Sequence, residues 1–314
     1  MTFGFVFPGQ GSQSVGMLAG LAPAAGSEAP IRDTFAEASA VLGYDLWQVV
    51  AQGPGERLNS TECTQPAMLA ASIATWRLWR DRGGSEPGVV CGHSLGEFSA
   101  LVAAEALDFG VAIDLVQFRG RVMQEAVPAG TGAMAAILGL DDAQVIEACR
   151  EAAQGGVVEA VNFNAPGQVV IAGAREPVER AIEAAKRRGA KRAVALPVSV
   201  PSHSSLMSSA AQRLGERLAT VDLRAPRIRF VSAVDTAQHT DPGDLRQLLV
   251  RQLSSPVWWS ETVHTLAAGG MGAIVECGPG KVLTALNRRI ERGLQALALE
   301  DAESLQAALA AVQA

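Results

Sequence analysis

The stretch Val89-Val90-Cys91-Gly92-His93-Ser94-Leu95-Gly96 decides how the rest of the chain is read. Three apolar residues predict a short buried strand. The next five match G-x-S-x-G, and apolar helical spacing follows from about Leu95 through Ala106. A serine between two glycines at a strand-to-helix turn is the arrangement of a nucleophile elbow. There the glycines let backbones pass closely and the hydroxyl stays exposed. The pentapeptide alone is a weak signal in a chain with 32 glycines. A helix N-cap would explain Ser94 but not both glycines. The flanking strand and helix therefore carry the reading of Ser94 as a nucleophile.

Outward from the elbow, strand and helix alternate. Phe3–Phe7 reads as a strand, followed by the loop Pro8-Gly9-Gln10-Gly11-Ser12-Gln13 and a helix opening at Val15–Leu21. Helical spacing covers Ile31–Val50 and Pro66–Arg80, the latter opened by Pro66 and closed by Gly83-Gly84. Another helix covers about Val111–Glu125. From there the rhythm changes to strand (Ala133–Leu138), helix after Asp141-Asp142, strand (Val157–Asn162), strand (Gln168–Ala172), helix (Glu176–Arg188), strand (Lys191–Val200). This β-α-β-β-α-β order is the ferredoxin-like arrangement. It predicts a small domain at 128–200 inserted into a larger one formed by residues 1–127 and 201–314. Past Pro201 the pattern gives a helix at about Leu206–Thr220, strands at Ile228–Val231 and Ala273–Glu276, a helix at Val282–Arg292 and a helical tail from Ala302. The larger part reads as α/β with a mostly parallel sheet.

Bulk properties narrow the function. With 48% hydrophobic and 18% charged residues, the 314-residue chain can bury a sizeable core. A net charge of -6 does not suit a phosphate backbone, so no nucleic-acid partner is expected. No uncharged apolar run approaches the roughly 20 residues of a membrane span, and Phe3–Phe7 has no basic flank of a signal peptide. Cys63, Cys91, Cys149 and Cys277 form no C-x-x-C pair and read as buried, reduced thiols of a cytoplasmic protein. No metal spacing is present. Gly9-x-Gly11 lacks the third glycine of a dinucleotide site, and Gly280-Lys281 lacks the flanks of a P-loop.

A serine nucleophile needs a base and an oxyanion site. The Leu95 N–H, at the start of the elbow helix, points where an oxyanion would form, and the Gly9-Gln10-Gly11 loop can supply a second donor. Of the four histidines, His93 adjoins Ser94 and should point elsewhere. His239 reads as a solvated loop residue and His264 as structural on an amphipathic helix. His203 remains, at the seam between the two domains. The pattern by itself does not decide that it is the base.

Taken in order, Phe7-Pro8-Gly9-Gln10-Gly11-Ser12-Gln13, Gly92-His93-Ser94-Leu95-Gly96-Glu97, Phe118-Arg119-Gly120, Asn162-Phe163-Asn164 with Pro166-Gly167-Gln168, Pro201-Ser202-His203, Arg251-Gln252-Leu253 and Gly278-Pro279-Gly280-Lys281 resemble the malonyl-CoA:acyl carrier protein transacylase family of bacterial fatty acid synthesis. The resemblance covers nearly the whole chain. It implies an α/β-hydrolase-like core with an inserted ferredoxin-like domain. It also implies Ser94 as the acylated nucleophile, His203 as base, Arg119 on the malonyl carboxylate, and Gln10 and Leu95 as oxyanion donors. The Gln252 main-chain carbonyl would orient His203 in place of an acid. Malonyl-CoA and acyl carrier protein are the implied substrates, with no cofactor. Lys186, Arg187, Arg188, Lys191 and Arg192 are candidates for a basic patch facing the acidic carrier, with a charged surface helix end as the equal alternative. Three positions depart from the family pattern: Phe98 stands where tyrosine is common, Glu105 where a small residue is expected, and Ser232-Ala233 where an asparagine is usual. The rival readings are a malonyl or substituted-malonyl loading enzyme of a polyketide pathway, a serine esterase, and a carrier-binding protein with an inactive elbow.

Overall fold

The computed structural model describes residues 2–22, 28–198 and 200–313. Its larger sheet has six strands: β1 (Phe3–Phe7), β2 (Val89–Gly92), β7 (Phe230–Val231), β8 (Gln238–His239), β9 (Ala273–Glu276) and β10 (Gln295–Ala298). Their spatial order is β10-β9-β1-β2-β7-β8. All pairings are parallel except the β7–β8 hairpin. Every residue of β1, β2 and β9 is buried, as expected for parallel strands covered on both faces. Phe7 pairs with Gly92, so β1 and β2 end level. Their following loops therefore sit side by side at the carboxyl edge, where open α/β sheets bind ligands.

The smaller sheet uses β3 (Gly132–Leu138), β4 (Val158–Ala165), β5 (Gln168–Ala174) and β6 (Arg192–Ala195), ordered β4-β5-β3-β6 and antiparallel throughout. Helices Asp142–Ala153 and Arg175–Arg187 cover one face, packing on Ala135, Ile137, Val169 and Ile171. Alternation sends Met134, Val170 and Ala172 to the other face. The first helix starts with a reciprocal capping box between Asp141 and Gln144. This is the ferredoxin-like order expected from the sequence.

Several local expectations fail for identifiable reasons. Val15–Leu21 forms successive turns rather than a helix, with Gly16 and Leu18 at φ of 83° and 71°. Ile31–Val50 splits into Ala29–Leu42 and Leu46–Gln52. Left-handed Gly43 ends the first helix, and the Asp45 side chain caps the second. Pro66 lies inside the helix Thr61–Asp81 rather than at its start. That early turn is held by packing: Gly120 of helix Phe109–Glu125 lies so close that a Cβ there would sit 2.6 Å from the Thr61 carbonyl oxygen. Strand β6 stops at Ala195 instead of continuing to Val200, because Pro197 has no N–H to offer a ladder. Strands β8 and β10 and the helix Pro242–Arg251 were not expected from the sequence. That helix does carry a start signal, Asp241-Pro242, and the Asp241 carboxylate accepts from the Gly243 and Asp244 N–H groups.

The tail helix Ala302–Gln313 buries Leu305, Ala308 and Val312. All four cysteines are free and buried. Among the described residues, no helix is long and apolar enough to cross a membrane.

Candidate active site

The elbow is built by backbone contact. A Cβ on Gly92 would sit 1.9 Å from the Gly96 carbonyl carbon, and one on Gly96 would sit 2.0 Å from the Phe7 carbonyl oxygen. A Cβ on Gly9 would approach the His93 carbonyl oxygen to 2.5 Å. The His93 N–H donates to the Phe7 carbonyl at 3.0 Å. These contacts clamp the ends of β1 and β2 together and force Ser94 to φ 53°, a left-handed conformation unusual for a side-chain residue. The helix Gly96–Ala103 starts at once behind it.

His203 arrives from the segment that leaves the small sheet. It too is left-handed, at φ 67°, and is 4% exposed. Its N–H donates to the Leu253 carbonyl at 3.0 Å. Its Nδ1 is 2.8 Å from the Gln252 main-chain oxygen, and its Nε2 is 2.7 Å from Ser94 Oγ. A carbonyl can only accept, so Nδ1 carries the proton and Nε2 is free to take one from Ser94. Burial, reinforced by the Arg119 charge, pushes the imidazolium down to about 3. The resting ring is therefore neutral.

Arg119 is 1% exposed, an unusual state for an arginine without an ion pair. Its Nη1 donates to Gln65 Oε1 at 3.0 Å. Its Nη2 donates to Gln252 Oε1 at 2.9 Å and reaches Ser94 Oγ at 3.3 Å. Its Nε has no partner. Among the described residues, no carboxylate lies within ion-pair distance of it. Burial lowers its pKa to about 10, against an opposing contribution from Glu97, so it stays charged at neutral pH. Phe98, at the position where the family pattern favours tyrosine, lies under the guanidinium at 5.6 Å.

Ser94, His203, Arg119, Gln10 and Leu95 all border one cleft of about 520 Å³ between the two sheets. Met134, Val170, Leu196 and Val198 line its small-sheet side. Gln252 stands behind it, buried, with its carbonyl on His203 and its amide on Arg119.

Some of the surrounding network is not readable from the sequence. Glu97 is fully buried and accepts from the Ser232 hydroxyl and the Ala233 N–H, both at 2.7 Å, and from Gln252 Nε2 at 2.5 Å. Burial raises its pKa to about 7. The departure at Ser232-Ala233 thus acts on Glu97 and not directly on His203. Gln65 holds Arg119 from the long helix. His93 points to the small domain, with Nε2 2.9 Å from Asn164 Oδ1. Glu97, Gln252, His93 and Asn164 lie inside the quoted motifs, whereas nothing in the sequence pointed to Gln65.

The remaining expectations sort as follows. His239 is a half-buried strand residue, with Nε2 3.0 Å from Asp235 Oδ1, and not a solvated loop residue. His264 is an exposed helix residue near Glu291. Glu105 lies beyond its helix at φ 58°, exposed and paired with Arg227, so no helix contact is altered there. In the expected basic patch, Lys186 pairs with Glu183, while Arg187 and Arg188 share Glu151. Lys191 and Arg192 are exposed.

Known proteins agree with this architecture over the full length. The acyl transferase domain model matches residues 4–311. The malonyl CoA-acyl carrier protein transacylase of Salmonella typhimurium is 56% identical over 308 residues, covering 98% of each chain. A solved malonyl-transacylase, in complex with its holo type II PKS acyl-carrier protein, superposes with a TM-score of 0.97. It is 53% identical and covers 99% of this chain and 100% of that one. An acyl carrier protein S-malonyltransferase from Vibrio cholerae superposes at 0.94 with 55% identity, over 98% of this chain and 100% of that one. Because the match runs through the elbow, the inserted sheet and the C-terminal strands alike, the chain belongs to the acyl transferase domain family.

Proposed function

We propose that the protein transfers the malonyl group of malonyl-CoA to the pantetheine thiol of an acyl carrier protein, through a malonyl ester on Ser94. The observation that carries this reading is Arg119, a buried cation 3.3 Å from Ser94 Oγ with no carboxylate within ion-pair distance among the described residues. A guanidinium meets a carboxylate through two parallel hydrogen bonds, so Arg119 selects an acyl chain that ends in one. The name of the Salmonella relative gives the same donor and acceptor, malonyl CoA and acyl carrier protein.

The chemistry follows from the distances. Ser94 Oγ attacks the thioester carbonyl while its proton passes over 2.7 Å to His203 Nε2. The imidazolium that forms is held by the Gln252 carbonyl at Nδ1. The Gln10 and Leu95 N–H groups receive the oxyanion; one such donor is worth about 2.7–4 kcal/mol in a transition state. Collapse of the intermediate expels coenzyme A as its thiol, which takes the proton from His203. In the second half the carrier's thiol attacks the malonyl ester, and His203 returns a proton to Ser94. Acyl exchange between a thioester and an ester calls for no resident cofactor. On this reading the inserted segment, residues 128–200, walls the cleft on its open side. The free, buried cysteines support a reducing cytoplasmic setting.

A second reading, loading of a polyketide carrier by the same chemistry, is favoured by the solved complex with a type II PKS carrier. An esterase would have no use for Arg119. An inactive elbow would not need His203 in hydrogen-bond contact with Ser94.

The test is intact mass spectrometry after mixing with a panel of acyl-CoA donors. Wild-type protein is expected to gain a malonyl adduct, and Ser94→Ala none. An adduct that persists in Ser94→Ala would sink the assignment of Ser94. Carrier proteins of fatty acid and polyketide type, offered to the loaded enzyme, separate the two readings.

A further inference from the structure

The Gln252 side chain sits between two buried groups of opposite charge. Its Oε1 accepts from Arg119 at 2.9 Å. Its Nε2 donates to the Ser94 carbonyl at 2.9 Å and to Glu97 Oε2 at 2.5 Å. If the amide turned over, its NH2 would face the guanidinium and its oxygen would face a carbonyl and a carboxylate. All three contacts would then oppose like with like. Glu97 cannot turn to accommodate this, because its other oxygen is held by the Ser232 hydroxyl and the Ala233 N–H.

We infer that Glu97 is a positioning residue: it sets the direction of the Gln252 amide and through it holds Arg119 beside Ser94 without pairing with Arg119 itself. The inference rests on the malonyl reading above and adds to it a reason why Arg119 is available. A carboxylate in direct contact would occupy the two-pronged edge of the guanidinium that the substrate needs. With one amide interposed, Glu97 still favours the buried charge on Arg119, while Arg119 keeps no anion of its own. The main-chain carbonyl of Gln252, which orients His203, is a separate group and does not turn with the side chain. Glu97 thus acts on acyl selectivity rather than on the base.

Glu97→Gln tests this with almost no change of shape. Its amide has one acceptor where the carboxylate has two, so it must present NH2 either to Gln252 or to the Ala233 N–H. Gln252→Met keeps the main-chain carbonyl and deletes the side-chain relay. Single-turnover acylation of Ser94 by malonyl-CoA and by acetyl-CoA, at about pH 8 where Glu97 is ionised, gives a malonyl-to-acetyl rate ratio. Each single variant should lower that ratio by about tenfold or more. The double variant should fall no further than the lower single one, because both changes break one relay. A smaller change in the ratio in either variant overturns the inference. So does an equal fall in both rates, or a double variant that multiplies the two effects. Should Glu97→Gln fail to fold, an unchanged ratio in Gln252→Met is sufficient to overturn it. A wild-type enzyme that forms no malonyl ester removes the transfer reading instead.

Discussion

The turns that carry Ser94 and His203 share a backbone state and differ in what imposes it. Both are side-chain residues in the left-handed region, at φ 53° and 67°. At Ser94 the cause is close backbone packing. Gly92 and Gly96 touch each other's backbone and the end of β1, and no other residue type fits at either place. At His203 no glycine takes part. Its turn is held by the Leu253 carbonyl on its N–H, by the Gln252 carbonyl on its ring, and by the Ser204 hydroxyl donating to the Pro201 carbonyl. The first turn is set by glycines beside Ser94 packed on the end of β1, whereas the second is held by carbonyls of a segment about fifty positions downstream. The pentapeptide with its flanking strand and helix therefore marks Ser94 as a candidate in the sequence, while nothing adjacent to His203 does the same for it. Strain of this kind costs of order 1–3 kcal/mol per residue and persists only where surrounding contacts enforce it.

Three changes would break or sharpen the contrast, in descending size. Gly92→Ala should damage the protein most. Its Cβ would lie within 2.2 Å of Gly96 and Glu97 backbone atoms that cannot move aside. A loss of about 4–5 kcal/mol or more is expected, measurable by denaturant unfolding. A loss below about 1 kcal/mol would mean that glycine backbone contact does not enforce the elbow.

Arg119→Ala should come next. Arg119 contacts both Ser94 and Gln252, so it links the two turns. Without it the malonyl carboxylate enters the cleft unpaired, at a cost of about 3–5 kcal/mol. That corresponds to roughly two to three and a half orders of magnitude in kcat/KM for malonyl-CoA relative to acetyl-CoA. An unchanged ratio would count against the carboxylate role.

The smallest effect is an expected absence of one. Burial and Arg119 push the His203 imidazolium down to about 3, so the ring is already deprotonated well below neutrality. A group with a depressed pKa gains no further base form as pH rises past the usual imidazole value. Acetyl-CoA kcat/KM should therefore be flat between about pH 5.5 and 8, and an inflection near about 6.5 would show that His203 titrates as a solvated ring. Acetyl-CoA is the right donor, because Glu97, raised to about 7, is inferred above to act on malonyl selectivity through Gln252 and Arg119.

Legibility of the fold followed the range of the forces involved. Buried parallel strands are continuous apolar runs, so β1, β2 and β9 were readable. The small sheet was readable because its strands and helices alternate with clear turns at Pro166-Gly167 and Gly189. Edge strands β8 and β10 were not. Gln238–His239 is two residues long, and its place comes only from pairing with β7. Pro66 was misread because its propensity favours a helix start, while packing against Gly120 extends the helix five residues further back.

By itself, the sequence determined that a serine stands at a strand-to-helix turn, that a ferredoxin-like unit interrupts an α/β core, and that the ordered motifs resemble one acyltransferase family. Each depends on neighbours within a few positions, or on a pattern that survives without coordinates. Only the tertiary structure decided that His203 reaches Ser94 across 109 positions, that Gln252 serves both His203 and Arg119, and that Glu97 accepts from the Gln252 amide. Those relations join residues from four separate segments. Hydrogen-bond direction and burial in a shared interior exist only once the chain has brought those segments together.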